Sequence, residues 1–281
     1  MGSIITLTTD FGMADAYVAA MKGVILGINP EATLIDICHS IEPQNVSRAA
    51  FVLGMAYEFF PRRTIHLVVV DPGVGTGRRA VILRTPLADF VAPDNGVLSY
   101  VIQRSSAEPV GLNRRQVGLE PGLEAVAITR AEFWRPEVSS TFHGRDIFAP
   151  VAAHLSSGRA PTDFGEAIPS LTVLPITQPY QASGGALVGH ILHIDNFGNL
   201  ITDIREDSLP QKHQTITIEV GSQSIRGLSR TYAEGKGLLA IIGGNGYLEV
   251  SLKGSDAGTF LGAGVGDEVK IRLPSAYKYN E

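Results

Sequence analysis

The chain has a single cysteine, Cys38, in 281 residues. One thiol cannot build a disulfide framework, and such sparse use of cysteine suits a reducing compartment. Cys38 itself reads as a small buried hydrophobe rather than a nucleophile. No run approaches the roughly 18 apolar residues that span a bilayer. The opening MGSIITLTTDFG has neither the cationic head nor the apolar stretch of a signal peptide. A cytoplasmic location and no membrane partner are therefore expected. There is no basic run, and the formal net charge is −5, so nucleic acid is not an expected partner. A G-x-S-x-G nucleophile elbow is missing. Metal ligands are short as well. His190 and His193 fall on opposite faces of a strand, and His193 with Asp195 makes too few ligands for a protein metal site. Neither a metal nor a cofactor is expected.

What is present points to a folded α/β protein. Apolar residues make up 44 % of the chain, enough for a hydrophobic core. Residues 4–9 read as a strand stopped by Asp10-Phe11-Gly12. Residues 14–28 read as a helix whose Tyr17, Val18, Met21, Ile25 and Ile28 recur at helical spacing, with Asp15 in its first turn. A strand over 33–38, a helix over 47–60 closed by Pro61, and a strand over 64–70 follow. The last is apolar on both faces, as in a parallel sheet. This alternation predicts an α/β layer that takes ligands at the carboxyl ends of its strands. A strand over 79–83, further segments over 90–93 and 96–103, and a helix over 142–156 complete the first domain, 1–180. Residues 181–185 read as a linker. Beyond it, strands over 186–194, 214–220, 238–242, 247–252 and 267–273, separated by glycine turns, predict a smaller all-β barrel domain, 181–281.

Three polar clusters can carry chemistry. Residues 70–79, from Val70 to Arg79, begin where a buried strand ends, and their glycines permit a tight turn or close approach to a ligand. Their spacing is GxGxG and a strand follows, so they are not a dinucleotide fingerprint. Asp71 is either a ligand-facing group or part of a plain β-turn. Thr141-Phe142-His143-Gly144-Arg145-Asp146 sets a histidine among hydroxyl and charged groups before a helix, where it is catalytic or structural. His193 to Asn199 ends a strand in polar groups that either touch a ligand or close an Asx turn.

Taken in order, Thr9-Asp10-Phe11-Gly12, Asp36-Ile37-Cys38-His39-Ser40-Ile41, Asp71-Pro72-Gly73-Val74-Gly75-Thr76, Ala92-Pro93-Asp94-Asn95-Gly96, Thr141-Phe142-His143-Gly144-Arg145-Asp146 and Asp195-Asn196-Phe197-Gly198-Asn199 resemble the S-adenosylmethionine hydroxide adenosyltransferases. That family also contains the fluorinase and chlorinase. The resemblance spans nearly the whole chain. It implies hydrolysis of S-adenosylmethionine to adenosine and methionine without a cofactor. It also implies a homotrimer whose sites lie between one subunit's first domain and its neighbour's second. The catalytic triad it implies is Asp71, Arg78 and His143. Among substrate contacts, Asp10 matches the ribose carboxylate and Asp195 the contact to the methionine amino group. Phe197, Asn199 and Tyr232 match adenine-pocket positions, and Asn95 is a further contact; the family's serine near the methionine carboxylate is missing from Gly243-Gly244-Asn245-Gly246-Tyr247, where Asn245 or backbone N–H groups are the available substitutes. The halogenases resemble this chain less at the decisive positions. They carry tyrosines where it has Asp71 and His143, and the fluorinase carries a serine where it has Gly144. Only residues 85–91 separate Arg84 from Ala92, so the halogenase insertion is missing. These differences favour water over halide. Arg78 and His143, if cationic, would hold that water, with Asp71 orienting them or taking its proton.

Overall fold

A computed structural model of the chain describes residues 2–106, 115–210, 216–235 and 237–272. The chain divides into two compact units, Met1–Ile176 and Thr177–Glu281.

Runs of β-branched and apolar residues make the first unit's strands: β1 (Ile4–Thr9), β2 (Thr33–Cys38), β3 (Thr64–Val69), β4 (Ala80–Arg84), β5 (Ala88–Pro93), β6 (Gln116–Gly118), β7 (Glu124–Ala127), β8 (Ala167–Ile168) and β9 (Ser170–Thr172). The helices are α1 (Tyr17–Ile28), α2 (Val46–Ala56), α3 (Ser99–Ser105) and α4 (Ala149–Ser156). Seven strands form one sheet in the order β2-β1-β3-β5-β4-β7-β8. β2, β1, β3 and β5 run parallel, while β4, β7 and β8 extend the sheet antiparallel. One apolar core packs α2 and α3 on one face of the sheet, and a second packs α1 and α4 on the other. The chain passes from β1 through α1 to β2, then through α2 back across β1 to β3. Its direction across the sheet therefore reverses between β1 and β3. The crevice outside their carboxyl ends is where such a sheet takes ligands.

Several boundaries differ from expectation for local reasons. α1 starts at Tyr17, so Asp15 precedes the helix and no acid lies in its first turn. Within its stripe Val18, Met21 and Ile25 are buried, but Tyr17 is half-exposed. α2 is capped by Asn45, whose side chain accepts from the Arg48 N–H at 3.0 Å, and it tightens into a 3₁₀ turn over Tyr57–Phe59. The expected helix over 142–156 begins as a wider π turn, Gly144–Phe148, before α4.

The second unit holds β10 (Tyr180–Gln181), β11 (Leu187–Ile194), β12 (Leu200–Arg205), β13 (Thr217–Val220), β14 (Gln223–Arg226), β15 (Leu238–Ile242), β16 (Tyr247–Leu252), β17 (Glu268–Arg272) and a short helix α5 (Ala257–Leu261). Its antiparallel sheet runs β14-β13-β17-β11-β12-β16-β15, with β10 paired to β11. The end strands β14 and β15 lie against each other, so the sheet curls into a nearly closed barrel. The expected linker is in part a hairpin: Gln181 pairs with Leu187, and the Gly185 N–H closes the turn on the Ala182 carbonyl. Gln214, Thr215 and Leu273, which begin or end expected strands, lie outside the described residues. Among the described residues no helix is long and apolar enough to cross a membrane.

Candidate active site

Asp71 follows β3, and the residues after it fold back on themselves. The Val74 N–H binds the Asp71 carbonyl and the Thr76 N–H binds that of Gly73. Gly75 has φ +76°, and a Cβ there would lie 2.5 Å from the Ser140 carbonyl oxygen, so only glycine lets the loop approach the 140s so closely. These turns return Arg78 to Asp71. Its Nε donates to Asp71 Oδ1 at 2.8 Å and to Oδ2 at 3.0 Å, and its Nη2 donates to Oδ2 as well. The Asp71 side chain is only 5 % exposed. Nη2 also lies 3.1 Å from His143 Nδ1. Arginine has only donors, so Nδ1 accepts and the neutral ring carries its proton on Nε2. Burial, and then the Arg78 charge, hold the His143 pKa below the usual histidine value, against the opposing pull of Asp71 and Asp146. The triad thus holds one cation, Arg78, and a neutral histidine, rather than the two cations that the sequence alone allows.

Neighbouring contacts fix this arrangement. The Arg78 guanidinium sits 4.9 Å over the Phe148 ring. Asp146, fully buried, accepts from the Ser139 N–H at 2.9 Å and from Arg145 Nε at 2.7 Å, tying the loop before His143 to the π turn after it. Burial opposes the Asp146 charge, but Arg145 and Ser139 hold its carboxyl below the ordinary value. Asn95, expected to touch substrate, donates its amide to the Val70 carbonyl at 2.9 Å and accepts from the Val97 N–H at 3.1 Å. It pins the strand end from which Asp71 projects.

An open pocket of about 290 Å³ is lined by Asp71 and His143 together with Asp10. Asp10, just after β1, accepts the Gln44 N–H on Oδ2 at 2.7 Å. Phe11, Tyr17 and Phe142 line the same pocket and meet in tilted or edge-on pairs with centroids 5.2 to 5.7 Å apart. Sequence reasoning gave Tyr17 to the core; its place near the helix start, beside the Asp10 turn, was the available signal. Gly144 also lines the pocket, and a Cβ there would lie 3.2 Å from Val69 Cγ1 and 3.3 Å from Met21 Sδ. A serine would have to push these neighbours aside.

The second unit presents a different set. The β11–β12 loop carries Asp195, whose Oδ1 accepts the N–H groups of Phe197 and Asn199 at 2.8 and 2.9 Å and whose Oδ2 accepts Asn199 Nδ2 at 2.9 Å. The Asx turn is therefore formed, and it displays Phe197 with 77 % of its surface exposed. Gly198 has φ +80°, and a Cβ there would run into the Asp256 carboxyl. Tyr232 is half-exposed, with its hydroxyl donating to Glu249 Oε2 at 2.8 Å. Asn245 lies exposed on the turn between β15 and β16. Glu249 was not anticipated. It is buried on β16 against Gly243, where a Cβ would run into Glu249 Oε1. Burial, helped by Asp195 and opposed by the Tyr232 hydrogen bond, raises its carboxyl pKa. Burial likewise raises the Tyr232 hydroxyl, joined by Glu249 and Asp195, to about 12. The available signal was one acid inside a largely apolar strand. Among the described residues no group of three or more His, Cys, Asp or Glu side chains could hold a metal ion.

The SAM hydroxide adenosyltransferase N-terminal domain matches residues 5–165, and the corresponding C-terminal domain matches residues 189–270. The (R)-S-adenosyl-L-methionine hydrolase of Salinispora tropica is 34% identical, over 95% of this chain and 97% of its own. A crystal structure of an uncharacterized conserved protein from Thermotoga maritima superposes with a TM-score of 0.84 at 35% identity, covering 95% of this chain and 99% of that one. A fluorinase from an Actinoplanes species is 29% identical over 73% of each chain. With both domains matched and full-length relatives above 30 % identity, the chain belongs to the SAM hydroxide adenosyltransferase family.

Proposed function

We propose that the chain hydrolyses S-adenosyl-L-methionine to adenosine and L-methionine by in-line attack of water at the ribose C5′. The observation that carries this reading is the contact of Asp71, Arg78 and His143, with Asp71 and His143 lining one pocket together with Asp10. The kinship with the Salinispora tropica hydrolase supports it. The sulfonium is already a good leaving group, so no acid and no metal is needed at sulfur. A water oxygen lone pair forms the bond to C5′ while the C5′–S pair collapses onto sulfur, leaving a neutral thioether. The water's proton passes to the Asp71 carboxylate and on to solvent. Arg78 stabilises the developing hydroxide, and the His143 Nε2–H orients the oxygen. Asp10 holds the ribose hydroxyls through both ground and transition states.

A halide fits this site poorly. The Asp71 carboxylate repels a halide beside the attacking position, and the halide would also have to shed its hydration, whereas a neutral water gains a hydrogen-bond acceptor. In the second domain, Phe197 and Tyr232 take the adenine, with Asn199 at its polar edge, while Asp195 takes the methionine ammonium and Asn245 or neighbouring backbone N–H groups take the methionine carboxylate. The resemblance to the family, read with the division of ligand groups between two units, supports a homotrimer in which one subunit's first domain meets its neighbour's second. Its compartment is the cytoplasm, in keeping with the single cysteine. Incubation with S-adenosylmethionine, followed by mass analysis of the adenosyl product, tests the reading. Adenosine is expected with or without chloride and fluoride. A 5′-halo product, or tight binding without turnover, would contradict it.

A further inference from the structure

The segment 36–41 stands out in the sequence, yet the reaction leaves its histidine without a task. In the structure β2 carries a bulge. Leu7 pairs with Asp36 but Thr8 pairs with Cys38, so Ile37 is the extra residue. A bulge re-aims the side chains that follow it. Here it brings His39 level with Thr9 instead of one residue beyond it. The ring is 4 % exposed, and its Nδ1 lies 2.8 Å from Thr9 Oγ1. Thr9 Oγ1 also accepts the Phe11 N–H at 3.2 Å. The hydroxyl hydrogen is then free to point at Nδ1, which leaves the ring proton on Nε2, 3.0 Å from Asp36 Oδ1 but short of full hydrogen-bond alignment. Lys22 holds the other Asp36 oxygen at 2.6 Å. The His39 carbonyl accepts the Gly12 N–H at 2.8 Å. A few residues on, the Gln44 N–H reaches Asp10 Oδ2 at 2.7 Å. Among the described residues, Gln44 is one of two non-glycine residues with positive φ, at 66°.

We infer that His39 is a positioning residue for substrate binding, which acts through Thr9 and the backbone of residues 11 and 12 to fix the Asp10 carboxylate. The inference rests on the reading of Asp10 as a ribose contact. The fold supplies its own control. His66 makes the same bond to a threonine, with Nδ1 at 2.7 Å from Thr6 Oγ1, and is fully buried. Its ring stacks on Phe90, and burial pushes its pKa down to about 4. It lies within β3 and supports no loop, so it is a core histidine.

The test compares His39→Gln, which withdraws the polar atom from Thr9, with His39→Asn, whose amide replaces Nδ1, and with Thr9→Val and His66→Gln. Hydrogen exchange of the ligand-free protein and kinetics with S-adenosylmethionine are the readouts. His39→Gln and Thr9→Val are expected to speed exchange at Phe11 and Gly12 about tenfold and to raise KM about tenfold at nearly unchanged kcat. His39→Asn should recover most of both, and His66→Gln should lower Tm while leaving KM alone. Combined with Asp10→Ala, His39→Gln should raise KM little further, because both act on one contact. Unchanged loop exchange, or a KM effect that adds fully to that of Asp10→Ala, would overturn the inference. Should Asp10→Ala leave KM unchanged while loop exchange still responds to His39, the positioning stands and the ribose reading of Asp10 fails.

Discussion

The two units handle charge in opposite ways. Around β1 and β3 the charged side chains turn toward each other: Arg78 closes on Asp71, and His143 accepts from Arg78 beside the cluster of Phe11, Tyr17 and Phe142. In the barrel the β11–β12 loop turns its polar side chains back on itself. Asp195 is occupied by the N–H groups of Phe197 and Asn199, and what faces solvent is aromatic, Phe197 and Tyr232. A linked cluster of ionic groups at low exposure is suited to charge that develops during reaction. Exposed rings on a stiffened loop are suited to a flat ligand bound equally before and during it. Loss of the first should therefore fall on kcat, and loss of the second on KM.

The largest effect expected is from Asp71→Ala, which removes the proton acceptor and releases Arg78. kcat should fall roughly 10²–10⁴-fold, with KM changed far less. His143→Ala should behave alike, toward the lower end. A matched loss of affinity with kcat intact would erase the contrast between the units. Asp10→Ala should do the reverse, raising KM on the order of 10- to 100-fold with kcat within a few-fold, as expected for a charged hydrogen bond made throughout the reaction. Phe197→Ala should raise KM about 5- to 50-fold through lost stacking. The comparison sharpens if Asp71→Ala and Asp195→Ala subunits are mixed. In a trimer with shared sites, about a quarter of the sites would regain both intact halves. A mixture no more active than its parts, or a fully active monomer by sedimentation, would reject that assembly. The smallest effect is in pH. His143 is expected to work as the neutral ring, and burial and Arg78 lower its pKa. Activity should thus stay level down to the ordinary histidine value of about 6.5 and decline only below it, as the ring gains a proton and gives up the Arg78 bond. A decline that begins above that value would contradict the neutral assignment.

Much of this was legible in the residues. The alternation of apolar runs and helical spacing marks the α/β half, and glycines after a buried strand mark the Asp71 loop. The remainder depends on contacts that local pattern does not encode. β12 has no clear apolar alternation because Thr202, Asp203 and Arg205 break it; in the fold that aspartate is buried against the His190 N–H at 2.8 Å. β14 is an edge strand of largely polar residues, so it lacks the alternation that marks a half-buried strand. Tyr17 fits the α1 stripe by spacing, yet it faces the pocket because the helix starts beside the Asp10 turn. The bulge at Ile37 has no signature in Asp36-Ile37-Cys38-His39, so the meeting of His39 and Thr9 could not be read from strand periodicity. Glu249 gains its meaning from Gly243 and Tyr232, which approach it only in the folded barrel.

The central claim is that water, not halide, attacks C5′ beside Asp71 and Arg78. The most direct measurement is turnover of S-adenosylmethionine in heavy-oxygen water with excess chloride or fluoride present, followed by mass analysis of both products. The account predicts adenosine carrying the label at its 5′ oxygen, unlabelled methionine, and no change with halide. Unlabelled adenosine, or 5′-halo-5′-deoxyadenosine at modest halide concentration, would contradict it.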